Sequence, residues 1–176
     1  MMQKKVQIIS DGSLDLSQEL TKEKDIEVVP FYVSFDSETY QKEMVEVGVR
    51  EFYQEMVDHP TVFPKTSMPS VHDYYEVFEK HAKEKMPVIC ICITRKFSGS
   101  LQSATTAKDM ILEEYPDAQI TVIDSTVNTV LQGLYVLEAC RLRDMGLEYQ
   151  QIVDALLPIR ETGRIFFTIG SIDYLK

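Results

Sequence analysis

The amino-acid sequence predicts an α/β fold, a mostly parallel sheet with helices on both faces. Three observations lead there. Strand-like and helix-like runs alternate along the chain, which implies βαβ units. The run Val88-Ile89-Cys90-Ile91-Cys92-Ile93 is apolar throughout, as a strand covered on both sides must be. Turn clusters at residues 10–13, 94–100 and 124–126 each follow a strand, so a parallel sheet puts them on one rim. Ligands of such sheets sit outside the carboxyl ends of the strands, where the strand order reverses.

The elements follow in order. Val6-Gln7-Ile8-Ile9 is a short strand ended by the turn Ser10-Asp11-Gly12-Ser13. A helix spans residues 17–24. Residues 26–35, rich in β-branched and aromatic side chains, read as one strand, and Pro30 inside it marks a sheet edge or a bulge. Residues 38–41 return as a short hairpin partner. Val49, Phe52, Tyr53 and Met56 stand at helical spacing within 49–58. A helix over 71–83 carries Tyr74, Tyr75, Val77 and Phe78, and the apolar strand follows. Then come a helix at 101–114, a strand at 119–124, helices at about 127–144 and 147–162, and a last strand at 164–169. No repeat or Pro/Gly/Ser linker divides the chain. Residues 170–176 begin an amphipathic element and stop, leaving Ile172, Tyr174 and Leu175 without visible partners. The chain, 1–176, is therefore expected to be one lobe, cut before a second.

A length of 176 residues suits one sizeable core. The net charge of −10 argues against nucleic acid and anionic membranes as partners, since both need basic surface. No stretch reaches transmembrane length and no secretory signal opens the chain, so a soluble cytoplasmic protein without stable membrane insertion is expected. Cys90, Cys92 and Cys140 read as reduced core residues, because C-x-C inside a strand is a poor metal clip. No metal spacing, Walker A lysine or G-x-G-x-x-G is present, and no cofactor is expected.

Two hydroxyl-rich segments carry the functional signal. One is Pro64-Lys65-Thr66-Ser67-Met68-Pro69-Ser70; the other is Thr94-Arg95-Lys96-Phe97-Ser98-Gly99-Ser100. Each ends where a helix begins, beside backbone N–H groups that the helix leaves unpaired and the positive end of its dipole. Taken singly, each hydroxyl is better explained as an N-cap, and Ser70 with Asp73 fits a relaxed capping box. Taken together, Thr66 and Ser67 exceed what a cap requires, and Ser98 and Ser100 flank a glycine, Gly99, that lets backbone approach a ligand. Two converging ends would make a neutral receptor for a carboxylate or phosphate. The rival reading is a small phosphate- or carboxylate-processing enzyme, a hydrolase or phosphatase. Asp11 ends a strand as an aspartate nucleophile would, but Ser13 stands where the second acid is needed, and no G-x-S-x-G elbow surrounds Ser98. His59, His72 and His81 lie on or beside helices with no triad partner marked.

With these residues in view, the chain resembles the N-terminal lobe of the DegV family of fatty-acid-binding proteins. Residues 10–16 resemble the family's D-S-T-x-D-L, with Gly12 and Ser13 in place of S-T. Thr66-Ser67-Met68-Pro69-Ser70 matches T-S-x-P-S. Phe97-Ser98-Gly99-Ser100, with Gln102-Ser103-Ala104, matches L-S-G-T-x-Q-S-A, and Asp124-Ser125 and residues 170–175 also have counterparts. The resemblance implies a non-enzymatic protein that binds one long-chain fatty acid, its tail in an apolar tunnel. Its carboxylate would be held by Thr66 and Ser98, supported by Ser67, Gly99 and Ser100. It further implies presentation of that carboxyl group to an ATP-dependent fatty acid kinase, which makes acyl phosphate for phospholipid synthesis. The family's arginine and histidine near the carboxylate would fall beyond Lys176.

Overall fold

A computed structural model of the protein describes residues 6–168. Its elements run β1 (Gln7–Asp11), α1 (Gln18–Glu23), β2 (Ile26–Val29), β3 (Tyr32–Ser34), β4 (Gln41–Lys42), α2 (Val49–Asp58) and β5 (Lys65–Ser67). Then follow α3 (Val71–Lys83), β6 (Val88–Cys92), α4 (Ser100–Glu114), β7 (Ile120–Asp124), α5 (Thr129–Asp144) and α6 (Tyr149–Ile159). The main sheet is parallel, in the order β2-β1-β6-β7.

Both faces of this sheet are covered, which is why the central strand β6 is apolar at every position. Ile8, Ile89, Ile91 and Ile123 pack against α5 and α6 through Val136, Ala139, Ile152 and Leu156. Ile9, Val88, Cys90 and Cys92 face the opposite way, onto Tyr74 and Phe78 of α3 and Ala104, Ala107 and Ile111 of α4. Cys90 and Cys92, two residues apart, share one face with their sulfurs 3.8 Å apart. All three cysteines are free thiols inside the core, and burial pushes the Cys90 thiol well up. Among the described residues no cluster of His, Cys, Asp or Glu could hold a metal ion, and no helix is long and apolar enough to cross a membrane.

Three expectations are corrected. Residues 26–35 are two strands in two sheets. Proline has no N–H to give a ladder, so β2 stops before Pro30, and the next N–H, that of Phe31, goes 3.0 Å to Glu43 Oε1. Glu43 lies so close to Gly12 that a Cβ there would fall 1.8 Å from its Oε1. That contact explains a glycine after Asp11. Burial, with Asp11 nearby, pushes the Glu43 carboxyl up. The second correction concerns the first hydroxyl segment. Lys65, Thr66 and Ser67 form a strand, β5, which pairs antiparallel with β3 in a three-stranded sheet of order β4-β3-β5. The hairpin partner expected at 38–41 is β4, at Gln41–Lys42, which shares only Gln41 with the expected span. Finally, residues 164–168 form no strand, and Phe166 and Phe167 stand exposed where a strand would have buried one of them. Ile169 and the amphipathic element at 170–176 lie outside the described residues.

Candidate functional site

The strand order reverses between β1 and β6: the chain leaves β1 for β2 on one side and returns to β6 on the other. At the carboxyl ends of these two strands sits Asp11, fully buried. Its Oδ2 accepts from the Ile93 N–H at 2.9 Å and the Ser100 hydroxyl at 2.7 Å. Its Oδ1 accepts from Gln132 Nε2 at 2.8 Å and from the Ser13 hydroxyl at 2.7 Å, which is shared with Gln132 Oε1. A carboxylate sealed from solvent and surrounded by donors cannot reach a phosphoryl or acyl group. The nucleophile role weighed for Asp11 is therefore closed by its surroundings.

The second hydroxyl segment is built on this carboxylate. Ser100 is fully buried and gives its only hydroxyl hydrogen to Asp11, so the Tyr74 hydroxyl, 2.6 Å away, donates to Ser100. Ser100 thus has no side-chain proton left for a ligand. Ser98 differs: its oxygen accepts from the Ser100 N–H at 3.2 Å, while its own hydrogen remains to give. Gly99 opens α4 without a side chain of its own, and the first N–H of this 15-residue helix, that of Ser100, goes to the Ser98 hydroxyl oxygen, so a neutral hydroxyl caps an end that favours anions.

The first segment is mounted differently. Thr66 and Ser67 project from the edge strand β5 and are exposed. The helix that follows them, α3, has its amino end occupied by the protein's own anion. Ser70 Oγ accepts from the Asp73 N–H at 3.1 Å, and Asp73 Oδ2 accepts from the Ser70 N–H at 2.8 Å. Asp73 also accepts from the Tyr32 hydroxyl at 2.9 Å and pairs with Lys42 Nζ at 2.9 Å, which ties the small sheet to α3. Burial alone would raise the Asp73 carboxyl; the bonds from Ser70, Lys42 and Tyr32 outweigh it and bring it down to about 2. The two expected receptors are therefore unequal. A carboxylate, Asp73, is bound into the α3 end, whereas the capping side chain at the α4 end is the neutral Ser98 hydroxyl.

The two segments meet through Met68. A Cβ added to Gly99 would lie 2.5 Å from Met68 Sδ, so the thioether rests on the glycine. A groove of about 440 Å³ adjoins the second segment, lined by Thr94, Phe97, Thr126, Val127 and Gly163 among others. Sequence reasoning missed the roles of Tyr74 and Gln132, whose patterns are those of ordinary helix residues, and of Glu43, whose only signal is the departure at Gly12.

A model of an uncharacterised protein family, DegV, matches residues 5–176. The chain belongs to the DegV family. A DegV domain-containing protein of Clostridium perfringens is 29% identical over 97% of this chain and 59% of its own length. One from Caldanaerobacter subterraneus is 34% identical over the same shares. Among solved structures, a stearic-acid-binding protein of Eubacterium ventriosum is 46% identical with a TM-score of 0.83, over 86% of this chain and 52% of that one. A fatty-acid-binding DegV family protein of Thermus thermophilus is 30% identical with a TM-score of 0.74, over 89% and 54%. This DegV chain thus spans between about half and three-fifths of the length of the relatives it matches.

Proposed function

We propose that this chain is one lobe of a non-enzymatic carrier for a long-chain fatty acid, working in the cytoplasm, where buried thiols such as Cys90 stay reduced. The carboxylate is received by Thr66, Ser67 and Ser98, with Gly99 letting it approach the start of α4. Ser100 contributes through the backbone it anchors. The observation that carries this reading is the convergence, through Met68 on Gly99, of exposed hydroxyls with a helix end capped by the neutral Ser98 hydroxyl. Two structural relatives at 30% identity or more are described as fatty-acid-binding, which supports the same ligand class.

Neutral donors hold a carboxylate without a permanent ion pair, as suits a carrier that hands its cargo on. Affinity comes from the tail, at about 0.8 kcal/mol per buried CH₂. In this reading the carboxyl group is presented to an ATP-dependent fatty acid kinase for acyl-phosphate formation. Arg95 and Lys96, exposed in the second segment, supply positive charge for docking that kinase or its nucleotide.

The deciding experiment is mass spectrometry of the lipid that co-purifies with the complete protein, with a long-chain fatty acid expected. Thr66→Val and Ser98→Ala in that protein should each weaken fatty-acid binding and leave the melting temperature of the ligand-free form nearly unchanged. Stability loss with retained affinity would return these hydroxyls to a purely structural role. Reversing Arg95 and Lys96 to glutamate should slow acyl-phosphate formation most at low salt, because such charges are screened over about 10 Å at 0.1 M. Unchanged kinetics at low salt would remove them from the docking surface.

A further inference from the structure

We propose that Asp11, which touches no solvent, is a positioning residue for head-group recognition; this rests on the carrier reading above. Its four donors come from four separate places: the end of β6 through Ile93, the start of α4 through Ser100, the turn after β1 through Ser13, and α5 through Gln132. None of them is a cation. A buried carboxylate held only by neutral groups depends on keeping each of them, so it dictates where each element ends.

The consequence reaches both hydroxyl segments. Ser100 spends its hydrogen on Asp11, so the Tyr74 hydroxyl must point at Ser100. Tyr74 lies on α3, directly after Asp73 of the capping box that follows Thr66 and Ser67. A single buried chain, Tyr74 to Ser100 to Asp11, therefore fastens the helix behind the first segment to the helix behind the second. It sets their separation, and with it the gap that a carboxylate must bridge between Thr66 and Ser98. Asp11 never touches the ligand. It acts through Ser100.

The test uses the complete protein and two probes with the same tail, palmitic acid and hexadecanol. The wild type should prefer the acid. Asp11→Asn and Ser100→Ala should each cut that preference by about tenfold or more, the worth of one hydrogen bond to a charged group, and leave the affinity for the alcohol nearly unchanged. Ser100→Thr keeps the hydroxyl and should keep the preference. If both variants melt earlier yet retain the wild-type preference, Asp11 is structural only and the proposal fails. A wild type that binds neither probe overturns the carrier reading, and this inference with it. Should Asp11→Asn fail to fold, Ser100→Ala against Ser100→Thr decides the matter alone.

Discussion

Thr66-Ser67 and Ser98-Gly99-Ser100 offer the same functional groups on different mounts. The first pair stands exposed on the edge strand of a three-stranded sheet, and the helix beside it is already satisfied by Asp73. The second is wired to a buried carboxylate, and the side chain that caps its helix end is the neutral Ser98 hydroxyl. The difference teaches that hydroxyl content before a helix does not say whether the helix end is available. What decides is where the nearest carboxylate points: Asp73 turns back onto its own helix, whereas Asp11 takes a hydroxyl from below and leaves the first N–H to the neutral Ser98.

The largest effect should come from cutting the buried mount. Gln132→Leu removes the amide that donates to both Ser10 and Asp11. Leaving a buried carboxylate short of a donor should cost about 3 kcal/mol or more in urea denaturation. A loss no greater than that of a surface substitution would erase the distinction between the mounts.

Next is Asp73→Asn, expected to cost about 1–2 kcal/mol as a capping and ion-pair loss. Its pH dependence follows from a carboxyl depressed to about 2 from an ordinary 3.8. A depressed folded value means that its stabilisation is present above pH 4 and is lost as pH falls through 2. Wild type should therefore lose stability over that window faster than Asp73→Asn does. Parallel acid titrations of the two would contradict the assignment.

Gly99→Ala sharpens the comparison where the segments touch. The backbone there has φ −80°, which alanine accepts, and the obstacle is the end of the flexible Met68 side chain. We expect a cost of about 1 kcal/mol or less, relieved by adding Met68→Ala. A larger loss that Met68→Ala does not relieve would mean that the glycine serves the backbone instead. Smallest of all, Ser67→Ala should shift stability by under about 0.5 kcal/mol, as exposed positions do.

The layered fold was legible because alternation of apolar runs reports burial on both faces, and β6 announces itself without any partner in view. The break at Pro30 was visible as a sheet edge but not as a change of sheet, since that depends on Glu43 capturing the Phe31 N–H from twelve residues away. The short strand β5 was hidden by its hydroxyls and flanking prolines, which read as a loop until β3 is beside it. Of the candidate site, Ser98 and Gly99 could be proposed from their spacing. The internal use of Ser100 could not, because it depends on a carboxylate 89 residues earlier in the chain.

That separation bears on how the molecule folds. The bonds that define the rim join residues 82, 89 and 121 positions apart. No hairpin or single βα unit can form any of them early; β6 must first dock on β1, and α5 must then return across the sheet. Closing such distant loops is slow and is rewarded only late. The Ile93 amide should accordingly gain protection from hydrogen exchange during refolding only once β6 has docked on β1, later than amides within single helices. In the native protein it should exchange only when the whole domain opens.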